Sequence, residues 1–218
     1  MFKTKLKYTS VFSQCFTDFY LKILIKCVTI SLIIMENKML YNYAECIKKY
    51  GNKSNLDKAL ENGDIYKIEK GIYSDKRNIS ELSLISYKNP NAVFAKDSAY
   101  FYHGLTDNVP DKYYLATNKD AYKIKDKRVS QVFCMNKQFD FGIIEIEYEG
   151  TKIRIFNKER MLVELARNKR KMPFDYYKEI VNNFRSIQND LNIKEVTNYA
   201  KKYANTDNIV KILQEEVF

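Results

Sequence analysis

The stretch SNLDKALENGDIYKIEKGIY, residues 54–73, changes its hydrophobic period halfway along, and that change decides the fold of the first domain. Ser54 followed three residues later by the acid Asp57 is the signature of a helix N-terminus. Leu56, Ala59 and Leu60 then take the inward face, Asn55, Lys58 and Glu61 face outward, and Gly63 stops the helix. From Ile65 the chain reads as a strand to Glu69, with Lys70-Gly71 as a tight turn and Ile72-Tyr73 as the returning strand. Working upstream, Leu40, Tyr43, Ala44, Ile47 and Tyr50 recur at spacings of three and four, which predicts a helix from Asn37 to Tyr50 closed by Gly51.

Two helices followed by a short hairpin match a winged helix-turn-helix, in which a helix enters the major groove and the wing touches backbone phosphate or the minor groove. On this reading Lys53, Lys58, Lys67, Lys70, Lys76 and Arg77 meet phosphates, while Ser54 and Asn55 reach base edges. The same elements can serve as a protein-docking module. Nine Lys and Arg between residues 36 and 78 are offset by seven Asp and Glu, a net charge of only +2.

The whole chain of 218 residues carries +10, a balance that favours polyanionic partners, nucleic acid or an anionic membrane surface. Part of that charge sits in residues 1–34, which hold five Lys against one Asp and differ in texture from everything after them. Their apolar run is interrupted by Lys22 and Lys26, too early for a membrane span. Met35 is followed at once by a polar, helix-forming sequence, so the reading is that translation begins there; the alternative is a membrane-surface segment. The expected division is therefore 1–34 as an extra segment, 35–78 as the winged helix and 79–218 as a second domain.

In the second domain Ala92 to Ala95 reads as a strand, with Asp97 as the cap of a helix that Gly104 closes. Further strands are expected at residues 112–117, 130–135 and 142–156, the last a hairpin turning at Glu149-Gly150. Helices follow: one with Met161, Leu162, Leu165 and Ala166 inward, one marked by Phe174, Tyr177, Val181 and Phe184, one capped at Asn192, and one opened by Asp207. The fold class is α+β, a winged helix-turn-helix followed by a mixed α/β domain with a C-terminal helical bundle.

The inventory of chemical groups argues against an enzyme. His103 is the single histidine, and it reads as a helix-terminal residue bonded to local backbone. Cys15, Cys27, Cys46 and Cys134 show no ligand spacing, so no metal or cofactor is expected and the thiols read as reduced and cytoplasmic. Glu145, Glu147 and Glu149 alternate with Ile144, Ile146 and Tyr148, a solvated acidic strand face that Lys152 and Arg154 on the facing arm can pair. Arg160 and Glu164, one turn apart, read as an internal ion pair. Two basic clusters could extend a DNA-contacting surface: Lys123, Lys125, Lys127 and Arg128 between strands, and Arg167, Lys169, Arg170 and Lys171 at a helix end.

Three segments, DIYKIEKGIYSD (64–75), NPNAVFAKDSAYFYHGLTDNVPDKYYLAT (89–117) and IRIFNKERMLVELARNKRK (153–171), resemble in order and spacing the AbiEi antitoxin family, with Glu164 where many members have Asp. The resemblance covers roughly residues 36–218. It implies a cytoplasmic antitoxin of a type IV toxin–antitoxin, abortive-infection system. Its winged helix would bind double-stranded DNA repeats in its own promoter, and its C-terminal domain would carry the antitoxin activity. The implied functional partner is an AbiEii-like nucleotidyltransferase toxin, without a stable complex. The absence of a Gly-Ser and Asp-x-Asp pattern makes this chain the antitoxin-like member of such a pair. The reading from another class is a protein–protein adaptor.

Overall fold

The computed structural model describes residues 39–218, a mixed α+β chain that divides into a unit ending at Ile79 and a second running from Ser80 to Phe218. The segment 1–34 and the start assigned to Met35 lie outside the described residues.

The first unit contains β1 (Leu40–Asn42), α1 (Tyr43–Tyr50), α2 (Lys53–Asn62), β2 (Tyr66–Glu69) and β3 (Ile72–Ser74). The helix expected from Asn37 begins instead at Tyr43, because Asn42 caps it. The Asn42 side chain accepts from Glu45 N at 2.9 Å, and the Glu45 carboxylate accepts from Asn42 N at 2.9 Å. Leu40 is buried from a strand, not from a helix: Leu40, Tyr41 and Asn42 pair antiparallel with Ser74, Tyr73 and Ile72. The cap of α2 is Asn52 rather than Ser54, its Oδ1 accepting from Asn55 N at 2.9 Å. Gly63 ends that helix in the left-handed region, as expected. The hairpin β2–β3 turns at Gly71, whose φ of +78° disfavours a side chain, and the sheet order is β1-β3-β2. Cys46, Leu56, Ala59, Ile65 and Tyr73 form the core between helices and sheet.

The second unit begins with α3 (Glu81–Lys88), a helix absent from the sequence reading, whose N-cap Ser80 accepts from Ser83 N. There follow β4 (Val93–Phe94), α4 (Lys96–Tyr102), β5 (Tyr113–Asn118), β6 (Val129–Cys134), a short α5 (Asn136–Phe139), β7 (Ile143–Tyr148) and β8 (Thr151–Phe156). The sheet order is β6-β5-β4-β8-β7. Its centre is narrow: β4 meets β5 through Val93↔Ala116 and Phe94↔Leu115, and meets β8 only through Phe94↔Ile155. Strands β5 and β6 run parallel, joined by the irregular basic connection 119–128 where a helix is usual. The β7–β8 hairpin turns at Glu149-Gly150, both with positive φ, as the twist of a two-residue loop requires.

Four helices close the unit: α6 (Lys158–Asn168), α7 (Phe174–Ser186), α8 (Ile193–Ala200) and α9 (Thr206–Glu216). Helix α6 is the hub, with Arg160, Met161, Leu162, Val163, Leu165 and Ala166 all buried. Ile180 and Phe184 of α7, Val196 and Ala200 of α8, and Ile209 and Leu213 of α9 belong to the same core. Three local readings are corrected. Helix α4 starts at Lys96 with Ala95 at the cap position, so Asp97 lies inside it and accepts from Tyr176 Oη at 3.1 Å. Phe174 opens α7 but is 73% exposed, because the inward stripe begins at Tyr177. Ile144, read as inward-facing, is exposed on the edge strand β7. Among the described residues no helix is long and apolar enough to cross a membrane.

Candidate nucleic-acid interface

In the first unit, all eight residues singled out for DNA contact, Lys53, Ser54, Asn55, Lys58, Lys67, Lys70, Lys76 and Arg77, are exposed. Helix α2 buries Leu56 and Ala59 and thereby turns Ser54 and Lys58, one turn apart, to solvent. Asp57 and Glu61 are exposed on the same helix, so its outer surface is mixed in charge. Asn55 is partly committed: its Nδ2 donates to Tyr50 O at 3.0 Å and braces the α1–α2 junction. That leaves its carbonyl oxygen and the second Nδ2–H able to meet a base edge. Lys67 stands on β2 opposite Tyr73, and Lys70 sits in the hairpin turn. Lys76 is anchored through its backbone N to Ser74 Oγ at 3.0 Å, and that hydroxyl donates to Met39 O at 2.7 Å. One buried serine thus ties the exit of the hairpin to the entry of β1.

In the second unit the two basic clusters separate into exposed and committed residues. Lys123, Lys125 and Lys127 are exposed on the β5–β6 connection. Gln131 holds that connection against the sheet by accepting from Ile124 N at 2.7 Å and donating to Tyr122 O at 3.1 Å. Arg128 is not available in the same way. Its Nε and Nη2 grip Asp126 at 2.9 and 2.7 Å, and its Nη1 reaches Glu81 at 3.2 Å. Lys88 also donates to Asp126, at 2.6 Å, and these bonds hold the Asp126 carboxyl well below the usual carboxylate range. In the other cluster Arg167 is bonded to Glu164 at 2.7 Å and stacked on the Tyr203 ring, with Lys169 bonded to Glu216. Arg170 and Lys171 are exposed.

The remaining titratable candidates have local explanations. His103 is bonded to backbone, but not to the local backbone expected from the sequence: its Nε2 lies 2.7 Å from Phe156 O, a carbonyl 53 positions away that the sheet brings beside it, and burial pushes the imidazole pKa down. The neutral ring donates that bond. Glu145 and Glu147 stand opposite Arg154 and Lys152 in the β7–β8 register, as read from the sequence. Arg160 departs from a simple ion pair. It is 1% exposed, its guanidinium lies between the Phe156 and Phe141 rings, and Nη1 donates to Phe141 O at 2.6 Å, while Glu164 stands 4.0 Å away. Among the described residues no group of three or more His, Cys, Asp and Glu side chains is placed to share a metal ion. Compared with known proteins, the chain matches no family model and no curated sequence.

Proposed function

We propose that the chain is an AbiEi-like antitoxin that also regulates its own transcription in the bacterial cytoplasm. Residues 39–79 act as a winged helix-turn-helix on double-stranded DNA repeats of its own promoter. The second unit opposes a nucleotidyltransferase toxin without forming a stable complex with it, and the chain has no catalytic role of its own. The observation that carries the DNA-binding part is the exposure of all eight candidate contacts on a helix-and-hairpin unit whose core uses other residues. Lys58 on α2 and Lys67 on β2 supply charge from the helix and from the wing of such a module. The antitoxin part rests on the order and spacing of the segments at 64–75, 89–117 and 153–171.

Fluorescence anisotropy with labelled duplex from upstream of the gene tests the first part. Binding should weaken steeply with salt, and removing two phosphate contacts should lower the slope of log K against log salt by about 2. The Lys58→Glu, Lys67→Glu double variant should lose specific binding. Unchanged affinity and slope would refute this face, and absence of DNA binding by the wild type would favour the adaptor reading. Co-expression with a neighbouring gene carrying Gly-Ser and Asp-x-Asp motifs tests the second part: growth restored only by the full chain is expected.

A further inference from the structure

Within the second unit a cavity of about 590 Å³ opens between β6, α6 and the start of α7. That volume lies in the range of small-molecule sites and far above the voids of a packed core. Its lining is unusual for a packing defect because four cationic side chains, Lys96, Arg160, Arg167 and Lys171, converge there with two carboxylates, Asp97 and Glu164. The carboxylates are already engaged. Glu164 accepts from Arg167 at 2.7 Å and from Tyr203 Oη at 2.6 Å, and Asp97 accepts from Tyr176 Oη. Lys96 and Lys171 make no ion pair among the described residues, so the cavity carries a surplus of positive charge.

Two further features shape the cavity. Arg160 lines the cavity, is 1% exposed, and has a buried Nε–H without a hydrogen-bond partner. That nitrogen is sealed off by the flanking rings, so the guanidinium contributes its charge to the wall rather than a hydrogen bond to an occupant. Lys96 holds φ at +48°, a region uncommon for a residue with a side chain, at the junction from which it lines the cavity. The walls add planar surface from Tyr114, Phe133 and Tyr176, with Phe133 half exposed at 51%. Cations suit a phosphate group and aromatic faces suit a flat ring.

We propose that this cavity binds a mononucleotide-sized phosphate ester, with Lys96 and Lys171 serving its anionic oxygens, Arg160 adding positive charge from the wall, and the aromatic wall meeting its planar ring. The site lies wholly in the second unit; it uses Arg167 and Lys171 of the basic cluster that could extend the DNA surface, and none of the eight candidates of the first unit. Isothermal titration of the full chain with AMP, GMP, CMP and UMP separately, and with inorganic phosphate, is the test. At least one nucleotide should bind saturably at one site per chain, more tightly than phosphate. Lys171→Ala and Lys96→Asn should each weaken it about tenfold, the scale of one charge-assisted hydrogen bond. Asn is chosen at position 96 because it tolerates positive φ, and Lys171 is exposed, so both variants should keep the fold. The Lys58→Glu, Lys67→Glu variant should bind nucleotide like the wild type. Failure of all four nucleotides to saturate, phosphate binding as tightly as any nucleotide, indifference to both cavity variants, or loss in the Lys58, Lys67 variant would each overturn the proposal.

Discussion

Gly142→Ala should destabilise the second unit far more than Gly150→Ala, although both glycines have positive φ, +64° and +76°. Both replacements incur the left-handed penalty of a side chain, roughly 1–2 kcal/mol. Both also restrict the unfolded chain to a similar degree, so that contribution cancels in the comparison. The surroundings differ. A Cβ at Gly150 meets nothing within 4 Å, whereas one at Gly142 would lie 2.8 Å from Asn157 Oδ1 and 2.9 Å from Arg160 Cβ. Neither neighbour can move freely. Asn157 Oδ1 accepts from Arg160 N at 3.0 Å and caps α6, and Asn157 N donates to Gly142 O at 2.7 Å. Arg160 is wedged between two phenylalanine rings. Overpacking of this kind costs about 1–3 kcal/mol, and a disturbed N-cap adds about 1 kcal/mol. At about 3 °C per kcal/mol for a chain of this size, Gly142→Ala should melt roughly 13 °C below wild type and Gly150→Ala roughly 4 °C below. Differential scanning calorimetry measures both. Melting of the two variants within about 2 °C of each other would refute the steric argument.

Two more outcomes follow from caps and charges. Asp126→Asn should lower stability at neutral pH by about 1–3 kcal/mol, because it weakens bonds to both Lys88 and Arg128. The native carboxyl pKa is depressed, so its contribution is complete above the unfolded value near 4 and declines as pH falls below it. Urea titrations should therefore show a wild-type advantage that is flat above about pH 5 and shrinks in stronger acid; a gap that grows on acidification would contradict the assignment. Asn42→Ala removes the side-chain acceptor of the α1 capping box and should cost about 1 kcal/mol in the first unit. Hydrogen exchange should accelerate in α1 and β1 while α6 amides keep their protection.

The hairpins and the amphipathic helices were legible in the sequence because their signals are local. Lys70-Gly71 and Glu149-Gly150 mark their turns by residue type, and Asn192 marks α8 by its spacing to Glu195. What escaped depends on partners distant in the chain. Leu40 fits a helical spacing with Tyr43 and Ala44, and only the pairing of β1 with β3 makes it a strand residue. Helix α3 has apolar Leu82, Leu84 and Ile85 with little periodicity, since it is buried on several sides. The candidate DNA residues were legible as exposed polar positions, but the commitment of Arg128 to Asp126 and Glu81 draws on a carboxylate 47 positions away. The cavity was invisible from sequence for the same reason: Lys96 and Lys171 become neighbours of one void only once β6, α6 and α7 are assembled.

The narrow centre of the second sheet has a consequence for the order of events in folding. The β7–β8 ribbon closes through a two-residue turn, an event of microseconds, by pairings that are local in sequence. Joining it to the β5–β6 ribbon requires β4, two residues long, to bring Phe94 to Ile155 across 61 positions of sequence. The entropy of closing that loop falls due before any flanking pair can reward it, so the seam belongs to the late, slow part of the reaction. Until it forms, both ribbons present unpaired edges, and the interval before the seam closes is when this chain is most exposed to self-association.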